Sequence, residues 1–138
     1  MKALKTNKVF FSVYNADKTE SVNFNRHEKF KGFLDAEGIS YVELIGVYKG
    51  VKELSLLLQS TDIREHESNL QRAIEFGRNY GQESILEVHN DDTAILHYLD
   101  SGYRTDMVGK LRVTTKEDAE TRSSYSYEPN SGLYMVID

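Results

Sequence analysis

Cysteine is absent from this 138-residue chain. Its absence removes disulfides, thiolate zinc sites and cysteine nucleophiles together, and it fits a reducing cytoplasm. No apolar run approaches the roughly 20 residues that a bilayer-spanning helix needs. The basic start, MKALKTNKVFFSVYNADK, lacks the uninterrupted apolar segment of a signal peptide. Strong charge of one sign is missing too: the net charge is −5, with acids and bases interspersed. That balance disfavours broad contact with nucleic-acid phosphates, and it is too small and mixed for an acidic mimic of DNA.

Chemical signatures are equally sparse. Neither GxGxxG nor GxxxxGK followed by Ser or Thr occurs, so no Gly-rich phosphate loop is read. No nucleophile elbow marks a Ser-His-Asp enzyme. His66, His89, Asp91 and Asp92 invite a metal, but no pair has HExxH spacing, and Asp91–Asp92 reads more simply as a solvated hairpin tip. No metal and no cofactor are expected.

What remains suits one domain over residues 1–138. Nine Tyr and six Phe allow a sizeable core. VFFSVY (9–14) reads as a strand. Asn23 then reads as the N-cap of a helix over about 24–37, with Phe24, His27, Phe30, Phe33 and Leu34 at helical spacing and Gly38 as the stop. YVELIGVYKG (41–50) and ELSLLLQS (53–60) read as antiparallel strands. A second helix follows from about Glu65 to Tyr80, then strands at 84–89 and 93–99 around HNDD. This β-α-β-β-α-β order plus one strand is the ferredoxin-like split βαβ pattern, a sheet with both helices on one face. The core is expected over about 8–113. Residues 114–138 read as a polar tail, with LYMVID docking at its end.

Two stretches stand out. SVNFNRHEKFKGFL (21–34) opens a helix with Asn, Arg and His in close succession. In LIGVYKGVKELSLLL (44–58), Tyr48 ends one strand and Glu53 begins the next, so phenol and carboxylate can share one end of the sheet. Taken alone, packing for Tyr48 and solvation for Glu53 explain that segment more simply.

Together these stretches resemble the bacteriophage S-adenosylmethionine (SAM) lyases, formerly called SAM hydrolases. VFFSVYNA followed by VNFNRH is similar to that family's first strand and VNxxRH helix entrance. LIGVYKG is similar to its L-x-G-x-Y strand end. Glu53 before LSLLLQ, LQRAIEFGRNYGQESILEV and TAILHYLDSGYR continue the likeness over about residues 8–105. The resemblance implies a SAM lyase that releases methylthioadenosine and L-homoserine lactone and depletes host SAM as an anti-restriction function in the host cytoplasm. It implies a PII-like homotrimer with SAM bound between subunits, and places Tyr48 and Glu53 in the active site. Arg26, Asp91 and Asp92 are the further substrate-binding candidates, Arg26 for a carboxylate and the two aspartates for a ribose across a subunit boundary. His27 is expected as a hydrogen-bonded core residue. Hydrolysis to homoserine, non-catalytic PII-like nucleotide binding, and inhibition of a host protein stay open as alternatives.

Overall fold

The computed structural model describes residues 5–100 and 102–138; the first four residues of the basic start and Ser101 lie outside them. Strand β1 (Asn7–Phe11) leads to helix α1 (Glu20–Ala36), the hairpin β2 (Val42–Tyr48) and β3 (Val51–Ser60), and helix α2 (Ile63–Asn79). Strands β4 (Ser84–Val88), β5 (Thr93–Tyr98) and β6 (Arg104–Thr114) follow, then a short helix α3 (Lys116–Ala119) and strands β7 (Ser124–Glu128) and β8 (Leu133–Ile137).

Among the described residues eight strands close into a barrel in the order β1-β3-β2-β7-β8-β6-β5-β4, with β4 returning to β1. This corrects the expected ferredoxin-like βαββαβ sandwich, and the PII-like architecture attached to it. The overturning finding is the pairing of the C-terminal third. In a ferredoxin-like sheet β2 is an edge; here Ile45 to Tyr48 pair with Tyr127 to Ser124 of β7. β7 then pairs with β8, β8 with β6, and β6 with β5. Every junction is antiparallel, and closure leaves no row of unpaired edge amides. The segment expected as a polar tail therefore supplies α3 and two wall strands.

Closure explains why β1 and β3 carry continuous apolar runs. Side chains alternate across a strand, so a strand apolar at every position has both faces buried. Val9 and Phe11, with Leu56 and Leu58, face outward into a core shared with Phe30 and Leu34 of α1 and Ala73 and Ile74 of α2. Phe10 and Leu57 face inward, into a barrel core with Leu44, Val88, Ala94 and Met135. The helices thus cap one side of the barrel from outside, while the inner core plugs its middle.

The start of α1 differs from the expectation at Asn23. Thr19 is the N-cap: it has extended backbone, and its hydroxyl accepts from Val22 N–H at 3.2 Å. Asn23 is buried one turn inside, where its amide oxygen accepts from Asn15 N–H at 2.9 Å and its amide nitrogen donates to Asn15 O at 3.0 Å. It ties the β1–α1 loop to the helix. His27 is fully buried and hydrogen-bonded to Glu43 at 2.9 Å. Among the described residues no helix is long and apolar enough to cross a membrane.

Candidate functional site

The β2–β3 turn sets the geometry of the site. Lys49 and Gly50 are its only two residues, both with positive φ (51° and 80°), the backbone of a tight hairpin turn whose twist matches the strands. Register then follows: Tyr48 pairs with Val51, and Gly46 with Glu53. Period-two alternation sends Glu53 and Ser55 to the barrel interior on β3, and Gly46 to the same side on β2. Gly46 matters because it has no side chain. A Cβ there would stand 4.0 Å from Glu53 Cγ and 3.9 Å from Ser55 Oγ, so its absence leaves open space beside the carboxylate.

That space belongs to a cavity of about 640 Å³ at one mouth of the barrel. Phe10, Leu86, Leu96, Val108 and Ile137 give it apolar walls, while Ser12, Ser55, Ser84, Ser126 and Gln82 supply polar ones. Part of this polar lining is already committed. Ser12 Oγ donates to Leu54 O at 2.8 Å and accepts from Tyr14 N–H at 3.0 Å. Gln82 donates to Tyr14 O. Tyr48 stands at the rim, 62% exposed, with Lys49 Nζ 5.8 Å from its ring centroid.

Glu53 is half-buried and lines this cavity. Burial raises its pKa above the ordinary carboxylate range. Among the described residues neither a hydrogen bond nor an ion pair engages its carboxylate. Its charge also reaches the nearby Tyr14 phenol, whose pKa is raised by burial first and then by Glu20 and Glu53. A carboxylate desolvated without a cationic partner is set to receive a cation from a ligand.

The other expected binding residues lie elsewhere. Arg26 stacks over Tyr80, 5.3 Å from the ring centroid, on the helix side of the barrel. Asp91 accepts from Thr93 N–H at 2.9 Å within the β4–β5 turn. Asp92, with φ 72°, borders a smaller cavity of about 320 Å³ at the opposite mouth, together with Lys8, Gln59, Arg112 and Glu128. Within one chain the structure therefore brings Tyr48 and Glu53 together and keeps Arg26, Asp91 and Asp92 apart from them.

His66 and His89 do not join the two aspartates in a ligand set, although His89 shares their turn and its carbonyl accepts from Asp92 N–H at 2.9 Å. The two histidines and His97 converge on Glu87 on the outer face of β4, at 2.6, 3.3 and 2.8 Å respectively. Among the described residues no group of three or more His, Cys, Asp or Glu is arranged to hold a metal ion.

Gln82, Arg122, Ser124 and Ser126 border the main cavity and escaped the sequence reading. Ser124-Tyr125-Ser126-Tyr127 alternates small polar with aromatic residues, which is a strand signal. Its serines border the cavity, while Tyr127 stacks on Tyr134 and Tyr125 tilts against both rings. Nothing local marks Gln82 or Arg122, which reach the cavity from loops.

Among comparisons with known proteins, the family described as the S-adenosylmethionine lyase family matches residues 9–137. The match extends beyond the residues that carry the resemblance, through the two C-terminal strands that close the barrel. No curated protein matches the chain.

Proposed function

The chain belongs to the S-adenosylmethionine lyase family, and from that premise we propose that the cavity at Tyr48 and Glu53 folds SAM for intramolecular cleavage into methylthioadenosine and L-homoserine lactone. The observation that carries this reading is the Glu53 carboxylate, desolvated at the wall of a roughly 640 Å³ cavity and engaged by no cation among the described residues. The volume falls within the range of small-molecule sites, about 300–1,000 Å³.

In the reaction a methionyl carboxylate oxygen attacks Cγ. The C–O bond forms as the Cγ–S bond breaks, and its electron pair leaves with sulfur. Carboxylate and sulfonium charges cancel, and neither water nor an external proton enters. The protein's task is conformational, and such alignment is worth about 7–11 kcal/mol of barrier. Loss of charge separation is also favoured once bound SAM displaces water from between the cavity's apolar walls.

Charge logic divides the two residues. The sulfonium loses its charge at the transition state, so a carboxylate against it would hold the ground state more tightly than the transition state. The α-ammonium keeps its charge throughout. Glu53 therefore binds the ammonium, while the Tyr48 ring contacts the sulfonium with a weaker attraction of roughly 0.5–2 kcal/mol.

Exposure of Tyr48 and Val51 at the rim, 62% and 65%, supports a site completed by a neighbour. The working assembly is proposed as a homotrimer with SAM between subunits, in which Asp91 and Asp92 of one chain approach the ribose held by another. In a phage-infected cell the reaction would deprive host methylation and SAM-dependent restriction of their cofactor. Membership in an enzyme family weighs against non-catalytic nucleotide binding.

Hydrolysis is the second reading, favoured by the raised pKa of Glu53, which makes it a better base toward water. Incubation with SAM in ¹⁸O-labelled water, with mass spectrometry within minutes, separates the two. Methylthioadenosine with unlabelled lactone supports the lyase. Labelled homoserine without early lactone, against a stable lactone control, supports hydrolysis. Intact SAM would sink both.

A further inference from the structure

Among the described residues the lining of the main cavity contains a single carboxylate, Glu53, and a single cation, Arg122. Arg122 lies in the α3–β7 connection, two residues before Ser124, which pairs with Tyr48. The adjacent Ser123 O accepts from Lys49 N–H at 2.6 Å, fastening this connection to the β2–β3 turn. Cation, phenol and carboxylate thus share one mouth of the barrel.

The guanidinium is held but not used up. Nη1 donates to Asp138 Oδ1 at 2.8 Å, and Nη2 stands 3.6 Å from Asp118 Oδ2, an ion pair beyond hydrogen-bond reach. Of the five N–H donors of an arginine, only the one toward Asp138 has a hydrogen-bond acceptor among the described residues. The two aspartates hold the guanidinium in place while donors remain for another planar acceptor. A carboxylate is the acceptor whose geometry this fork matches, through two parallel hydrogen bonds.

Resting on the SAM reading of the same cavity, we infer that Arg122 is the anchor for the substrate's α-carboxylate and, with Glu53 on the α-ammonium, the determinant that restricts this site to S-adenosyl compounds with an intact amino-acid end. Arg122 pairs with both carboxylate oxygens; one becomes the lactone carbonyl oxygen, and the other uses its remaining lone pair to form the bond to Cγ. Because the carboxylate loses its charge at the transition state, this contact sets binding and specificity rather than lowering the barrier. Two oppositely charged contacts on one tetrahedral carbon fix the rotation that brings carboxylate and Cγ together.

Two unreactive probes test this. S-adenosylhomocysteine carries the ammonium and carboxylate but no sulfonium; methylthioadenosine carries neither charged group. Calorimetric titration of Arg122→Gln should show S-adenosylhomocysteine weakened about 10- to 100-fold, the worth of a charge-assisted bidentate contact. Methylthioadenosine should stay within about twofold of wild type. Arg122→Lys, which keeps the charge but loses the fork, should fall between and serves if the Gln variant does not fold. Equal weakening of both probes would make Arg122 only a loop fastener and overturn the assignment. Unchanged binding of both would overturn it as well. If wild type binds neither probe, the SAM reading itself fails; if it binds both and the variants do not discriminate, only the Arg122 inference fails.

Discussion

Replacing Glu87 with Gln removes the charge on which three imidazoles converge while keeping the side chain's shape. Glu87 is 7% exposed, on the outer face of β4 beneath α2. His66 reaches one carboxylate oxygen at 2.6 Å and His97 the other at 2.8 Å. Tyr103 continues the chain through His97 Nδ1 at 2.5 Å. Burial pushes the Glu87 pKa up, but the hydrogen bonds from His97 and His66 and the charge of His89 outweigh it and hold the group at about 2, against an ordinary 4.5. That difference corresponds to about 3 kcal/mol of folding stability.

The sign follows from the lowered pKa. The contribution is complete above about pH 4.5 and is lost as pH falls toward about 2. In a chain of this length 3 kcal/mol moves Tm by roughly 10 °C. Thermal melts followed by circular dichroism at pH 6 and pH 3 provide the assay. The wild-type advantage over Glu87→Gln should be roughly 10 °C at pH 6 and less than half of that at pH 3. A gap under about 2 °C at pH 6, or one equal at both pH values, would refute the claim that this carboxylate ties α2 to the barrel.

Gly109→Ala tests closure of the barrel. Gly109 has φ 139°, and a Cβ there would collide with the Asp138 backbone carbonyl where β6 meets β8. A loss of about 2–4 kcal/mol in urea titration is expected; an unchanged midpoint would contradict the β6–β8 junction. Gly46→Leu tests the cavity. Its Cβ meets only ordinary contacts, none nearer than 3.8 Å, so the chain should fold with Tm nearly unchanged while kcat/KM for SAM drops about 100-fold as leucine fills the space beside Glu53. Wild-type activity would place the chemistry elsewhere. Glu53→Gln should slow turnover yet raise Tm: a folded pKa raised by burial means that ionised Glu53 costs stability, increasingly as pH rises above the ordinary carboxylate range. Tyr48→Phe should keep most of the activity if the ring face does the work; a collapse of kcat would assign the hydroxyl a role in its place.

Much of the chain was readable locally because local spacing determines local structure. Both long helices declare themselves by apolar residues three and four apart, and α2 runs within two residues of its expected ends. The entry into α1 was misread because Asn23 has the chemistry of a cap; Thr19 does the capping, and Asn23 spends its amide on Asn15 instead. Ferredoxin-like order was a fair inference from the first strands and helices, yet order does not specify partners. The same succession of elements can leave β2 as an edge or pair it with β7, nearly 80 residues away in the chain, and no residue in LIGVYKG records which.

The site divides along the same line. Sequence alone put Tyr48 and Glu53 at one end of a single hairpin, across a tight connection; the structure narrows that connection to the two-residue turn Lys49–Gly50. Why VFF and LLL are apolar at every position, by contrast, only closure of the barrel explains, because the expected sheet with helices on one face left their other face without a partner. Tertiary structure alone decided that Gly46 opens onto a cavity, that Arg122 and Gln82 arrive there from distant loops, and that Arg26, Asp91 and Asp92 stay outside it. The physical reason is range: spacing and turn chemistry act over a few residues, whereas barrel closure depends on which edge finds which, a choice that exists only once the whole chain has folded.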